Sequence, residues 1–234
     1  MDSTLDQFAE TTSPDAFTLQ NSKLLKVRLE QVTIQAKLGS MVAYQGDVTF
    51  EHAGSGGMSR MLKKAMSSEG ADLMKVTGHG EVFLAEQAQD IHLIKLENDK
   101  VTCNGANVLA FDAGIDWDIE RAKDVGSAMA GGYTNMALSG SGWVALVTDG
   151  PPVRLDVGAG PTFADAQAAV VWSSGVTTSF RTDVNLKTLI GRSSGETVQL
   201  AFGGQGWVLV QPSEGMVATS PAAGLASGLG KMLR

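Results

Sequence analysis

Three stretches of the chain share one arrangement of apolar and polar positions: MVAYQGDVTF (41–50), VLAFDAGIDW (108–117) and AVVWSSGVTT (169–178). Each is a short apolar run that ends in an aromatic, meets a glycine and resumes as a second run. Side chains pointing alternately in and out give a period of two, which predicts strands rather than helices. A shorter run opens each set with a hydrophobic–basic–leucine–acidic pattern: Val27-Arg28-Leu29-Glu30, Ile94-Lys95-Leu96-Glu97 and Val153-Arg154-Leu155-Asp156. Each set closes with Gly-x-Gly leading into an apolar strand, in TGHGEVFL (77–84), GSGWVALV (140–147) and GQGWVLVQ (204–211).

Before the closing element, GGMSRMLKKAMSSEG (56–70) places Met58, Met61, Leu62, Ala65 and Met66 at helical spacing, with Arg60, Lys63 and Lys64 elsewhere on the wheel. NLKTLIGRSSGE (185–196) and IERAKDVGSAMAGG (119–132) are weaker versions. The pattern predicts one-to-three-turn helices in the crossings. So short a helix is marginal alone, so the Met-rich stripe needs cover from the same chain, an oligomer or partner, or a membrane surface.

The order of features is kept three times in units of roughly 60 residues, which reads as internal repetition. One such unit buries too little apolar area to stand alone, so the three are expected to pack together and hide their sheet edges. The predicted fold class is all-β, three repeats around a pseudo-threefold axis with short helices in the crossings. Residues 1–21 read as an acidic flexible leader. A single domain follows at 22–212, with repeats at about 22–84, 91–147 and 152–211. Residues 213–234 read as a small-residue-rich tail or a short docked helix.

Gly78, Gly80, Gly140, Gly142, Gly204 and Gly206 are given a structural role, permitting positive φ or close strand approach at a bend. The residue between them is His79, Ser141 or Gln205, and the one after is Glu81, Trp143 or Trp207. Only the glycines persist, whereas a reactive unit repeated three times would keep its polar atoms. Trp143 and Trp207 are expected as core or inter-unit contacts, or as an exposed partner patch together with Met58, Met61, Leu62 and Met66. Trp117 and Trp172 are expected to pack.

Composition adds limits. The chain has 234 residues, 43% of them hydrophobic and 18% charged, with 28 glycines, which suits a folded, turn-rich protein. A net charge of −7 with no basic, aromatic-interleaved stripe argues against nucleic acid as a partner. Without a basic start leading into an apolar segment, or a run of 18 apolar residues, a cytoplasmic protein is expected, with peripheral membrane contact left open.

The same stretches resemble the AIM24 family of mitochondrial-biogenesis-type proteins and their bacterial relatives. Agreement is best in LGSMVAYQGDV (38–48), GGMSRMLKKAMSSEGADLMKVTGHGEVFL (56–84) and SGETVQLAFGGQGWVLVQP (194–212). Ser68-Glu69-Gly70 and Ser194-Gly195-Glu196 match the family's turn, while Gly131-Gly132-Tyr133 departs from it. The resemblance covers about residues 22–212. It implies a β-helix-like or β-sandwich fold related to the tryptophan-RNA-binding attenuation proteins, here TRAP-like. A yeast member is associated with the mitochondrial inner membrane and respiratory-complex organisation. The resemblance carries no catalytic residues and no cofactor, and RNA binding does not transfer to an acidic chain.

Groups that could carry chemistry are few and scattered along the chain. His52, His79 and His92 lack a short metal-binding spacing, and with Cys103 a site would need four separate segments to converge. Cys103, the single cysteine, reads as a small apolar strand residue. Asp112, Asp116, Asp118 and Glu120 are the densest acidic patch, yet they lack the order of a calcium loop and read as a solvated edge. Asp112 and Asp116 as a glycosidase pair would need a separation that sequence does not fix. No nucleophile elbow or phosphate loop is present. The expected function is a noncatalytic scaffold or interaction protein, with a homo-oligomer or protein partner. The alternatives are a small-molecule or carbohydrate-binding domain, enzymatic or not, and a peripheral membrane organiser.

Overall fold

Runs rich in Val, Leu and Phe between glycine bends pair edge to edge, because each strand buries one face and satisfies its backbone along the other direction. The computed structural model describes residues 3–30, 32–52, 72–121, 134–181 and 199–213. These form β1 (Phe17–Asn21), β2 (Leu24–Arg28), β3 (Ile34–Lys37), β4 (Met41–His52), β5 (Leu73–Leu84), β6 (Asp90–Asn104), β7 (Val108–Asp112) and β8 (Asp116–Arg121). The remainder are β9 (Thr134–Thr148), β10 (Val153–Val157), β11 (Thr162–Asp165), β12 (Ala169–Ser173), β13 (Val176–Arg181), β14 (Gln199–Gly204) and β15 (Gly206–Val210).

A Gly-x-Gly strand is the spine of each set. On β5, Val82 faces Val27 of β2 on one side and Tyr44 of β4 on the other, while Val76 faces Ile34 of β3 and Phe50 of β4. On β9, Val144 faces Ile94 and Phe111, and Leu138 faces Val101 and Trp117. The third spine is split at Gln205 into β14 and β15; Val208 faces Leu155 and Trp172, and Phe202 faces Thr162 and Thr178. In the first set β4 runs unbroken through Gly46, whereas turns at 113–114 and 174–175 divide the matching strands into β7/β8 and β12/β13.

Two ladders join the sets. β3 pairs β7 with Gln35 opposite Phe111, and β6 pairs β12 with Thr102 opposite Trp172. The result is a 12-stranded sheet and a 3-stranded sheet, β11-β14-β13. The core follows these joints. One cluster gathers Leu25, Ile34, Val82 and Leu84 with Leu109, Ala110 and Val147. A second gathers Val101, Cys103, Phe111 and Leu138 with Val170 and Val171. The third, including Trp172, Leu200, Phe202 and Val208, stays within the last set.

This arrangement corrects the expected TRAP-like β-helix or β-sandwich around a pseudo-threefold axis with helical crossings. A closed threefold ring needs a third joint, between β11 and β4. Among the described residues β11 pairs only β14 and β4 pairs only β5, so the sets form an open series. Nor is there an α-helix among the described residues; helical geometry is limited to 3-10 turns at Thr4–Phe8 and Gly105–Asn107. Ile119–Arg121, the start of one expected crossing, instead ends strand β8, where the edge-to-edge ladder with β9 satisfies its backbone. The rest of the crossings, including Met58, Met61, Leu62 and Met66, lie outside the described residues.

The opening pattern of the last set is also displaced. Leu155, not Val153, occupies the row of Val27 and Ile94. A shift of two residues keeps every side chain on its face, so periodicity cannot detect it.

Candidate functional site

The Gly-x-Gly spines make room for their neighbours. Gly78 and Gly80 have φ of +129° and +154°, and a β-carbon on either would land on a β4 carbonyl oxygen, that of Asp47 or Gln45. At Gly142 the space is filled by the Asp112 side chain, and at Gly206 by the Ser173 hydroxyl. Gly204 meets the Gly175 carbonyl, while Gly140 has no neighbour closer than 3.9 Å.

The filled spaces hold a common contact. Asp112 Oδ2 accepts the backbone N–H of Trp143 at 2.5 Å, and Ser173 Oγ accepts that of Trp207 at 3.1 Å. Burial pushes the Asp112 carboxyl above the usual carboxylate range, with the Trp143 amide pulling the other way, and Oδ1 is buried without a hydrogen-bond partner. Both indoles sit half-buried beneath a cation, Lys95 5.6 Å from the Trp143 ring and Arg154 5.3 Å from that of Trp207. Phe17 of β1 stacks on Trp143 at 6.5 Å.

In the first set Glu81 stands where the others have tryptophan. It pairs with Lys26 at 3.2 Å, and the same ammonium meets Glu10 at 3.2 Å, tying the N-terminal segment to the sheet. Burial works against the Lys26 charge, but the two carboxylates outweigh it and raise its pKa. Residue 81 is therefore committed to an ion cluster. His79, beside it, is exposed and faces Asp47 across the ladder.

The remaining reactive side chains are dispersed. His52 faces Met74 at the far end of β4. His92 Nε2 lies 2.8 Å from Thr148 Oγ1, and burial lowers its pKa although Asp90 raises it. Cys103 is fully buried, with its Sγ donating to the Met136 carbonyl at 3.3 Å and its thiol pushed up to about 12 by burial. Asp116, Asp118 and Glu120 are exposed along β8, and Glu120 pairs with Lys100 at 3.3 Å; Asp112 turns away from them. No group of three or more His, Cys, Asp or Glu is placed to hold a metal among the described residues.

Among the described residues, two surface features stand apart from these contacts. An open groove of about 450 Å³ is lined by Asn98, Asp99, Lys100, Asp116, Ser139, Gly140 and Ser174. The other is an apolar strand edge. Met41, Val42 and Tyr44 on β4 are 36%, 58% and 50% exposed, whereas Val108, Leu109 and Phe111 at the matching positions of β7 are all 0%. On β12, Ala169 and Val170 are 0% and Trp172 is 3%. The sequence pattern predicts a strand at Met41–Tyr44 and does not distinguish it from its two counterparts. Its environment depends on which strand lies beside it, and no local signal reports that.

Residues 17–213 match the family model described as mitochondrial biogenesis AIM24. The chain is similar in structure to protein SPYM3_0169 from Streptococcus pyogenes, solved by X-ray crystallography. The TM-score is 0.69 and the sequences are 21% identical, over 84% of this chain and 92% of that one. The search of curated proteins gives no match. No described helix is long and apolar enough to cross a membrane.

Proposed function

The chain belongs to the AIM24 family, and from that premise we propose that it works as a noncatalytic scaffold whose functional surface is a self-association surface. The observation that carries this reading is the exposure of Met41, Val42 and Tyr44 on a sheet edge, where the corresponding residues of the other two sets are buried. Apolar residues on an open strand edge are a template for another chain. Meanwhile Asp112, His92, Cys103 and Glu81 are engaged in contacts that hold the fold. In this reading the three sets are copies of one unit.

Native mass spectrometry and light scattering at micromolar concentrations test the proposal. The expected result is a mass of two or more chains; a strictly monomeric protein defeats it.

A second reading rests on the groove at the β6 bulge. Asn98 there has φ of +54° and its N–H donates to Ser141 Oγ at 2.8 Å, giving a polar depression suited to a small hydroxylated ligand such as a sugar. Titration with a panel of monosaccharides, followed by the shift of amide resonances at residues 98–100, tests it; unchanged spectra at millimolar sugar remove it.

A further inference from the structure

The self-association reading acquires a specific geometry from the strand registers. Two joints between sets use the same alignment. Ile34, Gln35 and Ala36 of β3 stand opposite Asp112, Phe111 and Ala110 of β7. Val101, Thr102 and Cys103 of β6 stand opposite Ser173, Trp172 and Val171 of β12. The spine rows fix the correspondence: Ile34, Val101 and Thr162 face Val76, Leu138 and Phe202, and Tyr44, Phe111 and Trp172 face Val82, Val144 and Val208.

Each set thus has one strand that reaches forward, β3, β6 or β11, and one that receives, β4, β7 or β12. The receiving strand of the first set and the forward strand of the last are left unpaired with each other. Both edges carry an exposed aromatic, Tyr44 at 50% and Phe163 at 40%. Phe163 is the residue that corresponds to Gln35 and Thr102, which stand opposite Phe111 and Trp172. Tyr44 and Phe163 are therefore what the same alignment would place face to face.

We propose that β11 of one chain pairs antiparallel with β4 of a second copy, with Phe163 opposite Tyr44, Thr162 opposite Gln45 and Ala164 opposite Ala43. The occupant is a second copy because the edge needed to complete the repeated joint exists in this chain and in the matching register. Adding it covers Ala43–Gln45 as β3 covers Ala110–Asp112. The contact is heterologous, head to tail, so each added chain presents a fresh β4 or β11 edge until a ring closes. The proposal rests on the self-association reading and adds its location.

Disulfide trapping tests the register. Antiparallel neighbours lie about 4.5–5.5 Å apart between Cα atoms, within the span a disulfide bridges. Two single variants, Tyr44→Cys and Phe163→Cys, are mixed under mild oxidation; both positions are exposed, and the native Cys103 is buried. The expected product is a covalent dimer containing one of each, with little dimer from either variant alone. Phe163→Lys is expected to move the native mass toward that of one chain while its circular dichroism stays unchanged.

Other outcomes overturn the proposal in distinguishable ways. An unmodified protein that assembles without forming the Tyr44→Cys/Phe163→Cys link places the interface elsewhere and leaves the scaffold reading standing. A monomeric unmodified protein removes both. Self-linked Tyr44→Cys dimers, or a double variant that closes within one chain, show that a different contact covers the edge.

Discussion

Tyr44 and Phe111 occupy the same row of their respective ladders, one opposite Val82 and the other opposite Val144, yet half of Tyr44 is open to solvent and none of Phe111 is. The difference comes from the neighbouring strand. β3 lies against β7, bringing Ile34 and Ala36 with it, and among the described residues nothing pairs on that side of β4. Phe111→Ala is expected to cost about 3–5 kcal/mol through the cavity it leaves. Tyr44→Ala, measured at a dilution where the protein is monomeric, is expected to change stability by about 0.5 kcal/mol or less. Urea unfolding of the two variants makes the comparison, and equal losses contradict the assignment of the two edges.

At Gly78 a side chain meets both an unfavourable φ and the Asp47 carbonyl, so β4 must move for it to fit. Gly78→Ala is expected to destabilise by about 1–3 kcal/mol, on the scale of left-handed strain in a non-glycine residue. Gly114→Ala serves as the control, since nothing lies within 4 Å of the added carbon. For a chain of this size 1 kcal/mol moves Tm by about 2–4 °C, which calorimetry resolves.

Asp112 gives a pH signature. Its pKa is raised, so the folded chain holds this proton more tightly than the unfolded one. That contribution is fully present below the ordinary carboxylate pKa and is lost as pH rises through the folded value. Asp112→Asn keeps an oxygen for the Trp143 amide and removes this pH dependence. Asp112→Ala also leaves that amide without its acceptor, and is expected to cost a further 1–3 kcal/mol or about that. Melting curves of the three proteins from acid to neutral pH separate the effects.

His92 works in the opposite sense. Its pKa is lowered, because burial beside Thr148 outweighs the pull of Asp90. The unfolded chain takes up the proton first, so stability declines as pH falls below the ordinary imidazole value and levels off beneath the folded one. His92→Gln is expected to flatten the loss across that window, read from denaturation midpoints in mildly acidic and neutral buffer. An unaltered slope assigns the acid sensitivity to other groups.

The strands themselves were legible in the chain, because a period of two and a glycine bend are local properties of a few residues. The spines at 77–84, 140–147 and 204–211 fall in β5, β9 and the β14/β15 pair. Joints between sets were not legible in this way. Gln35 meets Phe111, and Thr102 meets Trp172, across 76 and 70 residues of chain. The expectation of a threefold arrangement follows from three small sets needing to bury their faces and hide their edges, and that need does not reveal whether the last meets the first. Asp112 illustrates the same limit: the acidic patch it forms with Asp116, Asp118 and Glu120 reads as a solvated edge, but the turn at 113–114 sends Asp112 inward against Trp143. Nothing in the acidic pattern anticipates an amide waiting there.

Cys103 lies in the second joint, opposite Val171 on one side and Met136 on the other, with none of its surface exposed. As the chain's one thiol, it makes a native clock for that seam. Alkylating reagent is expected to reach the sulfur when β12 lifts from β6 or β6 parts from β9, so the labelling rate reports how often the strands around this seam open. No engineered probe is required.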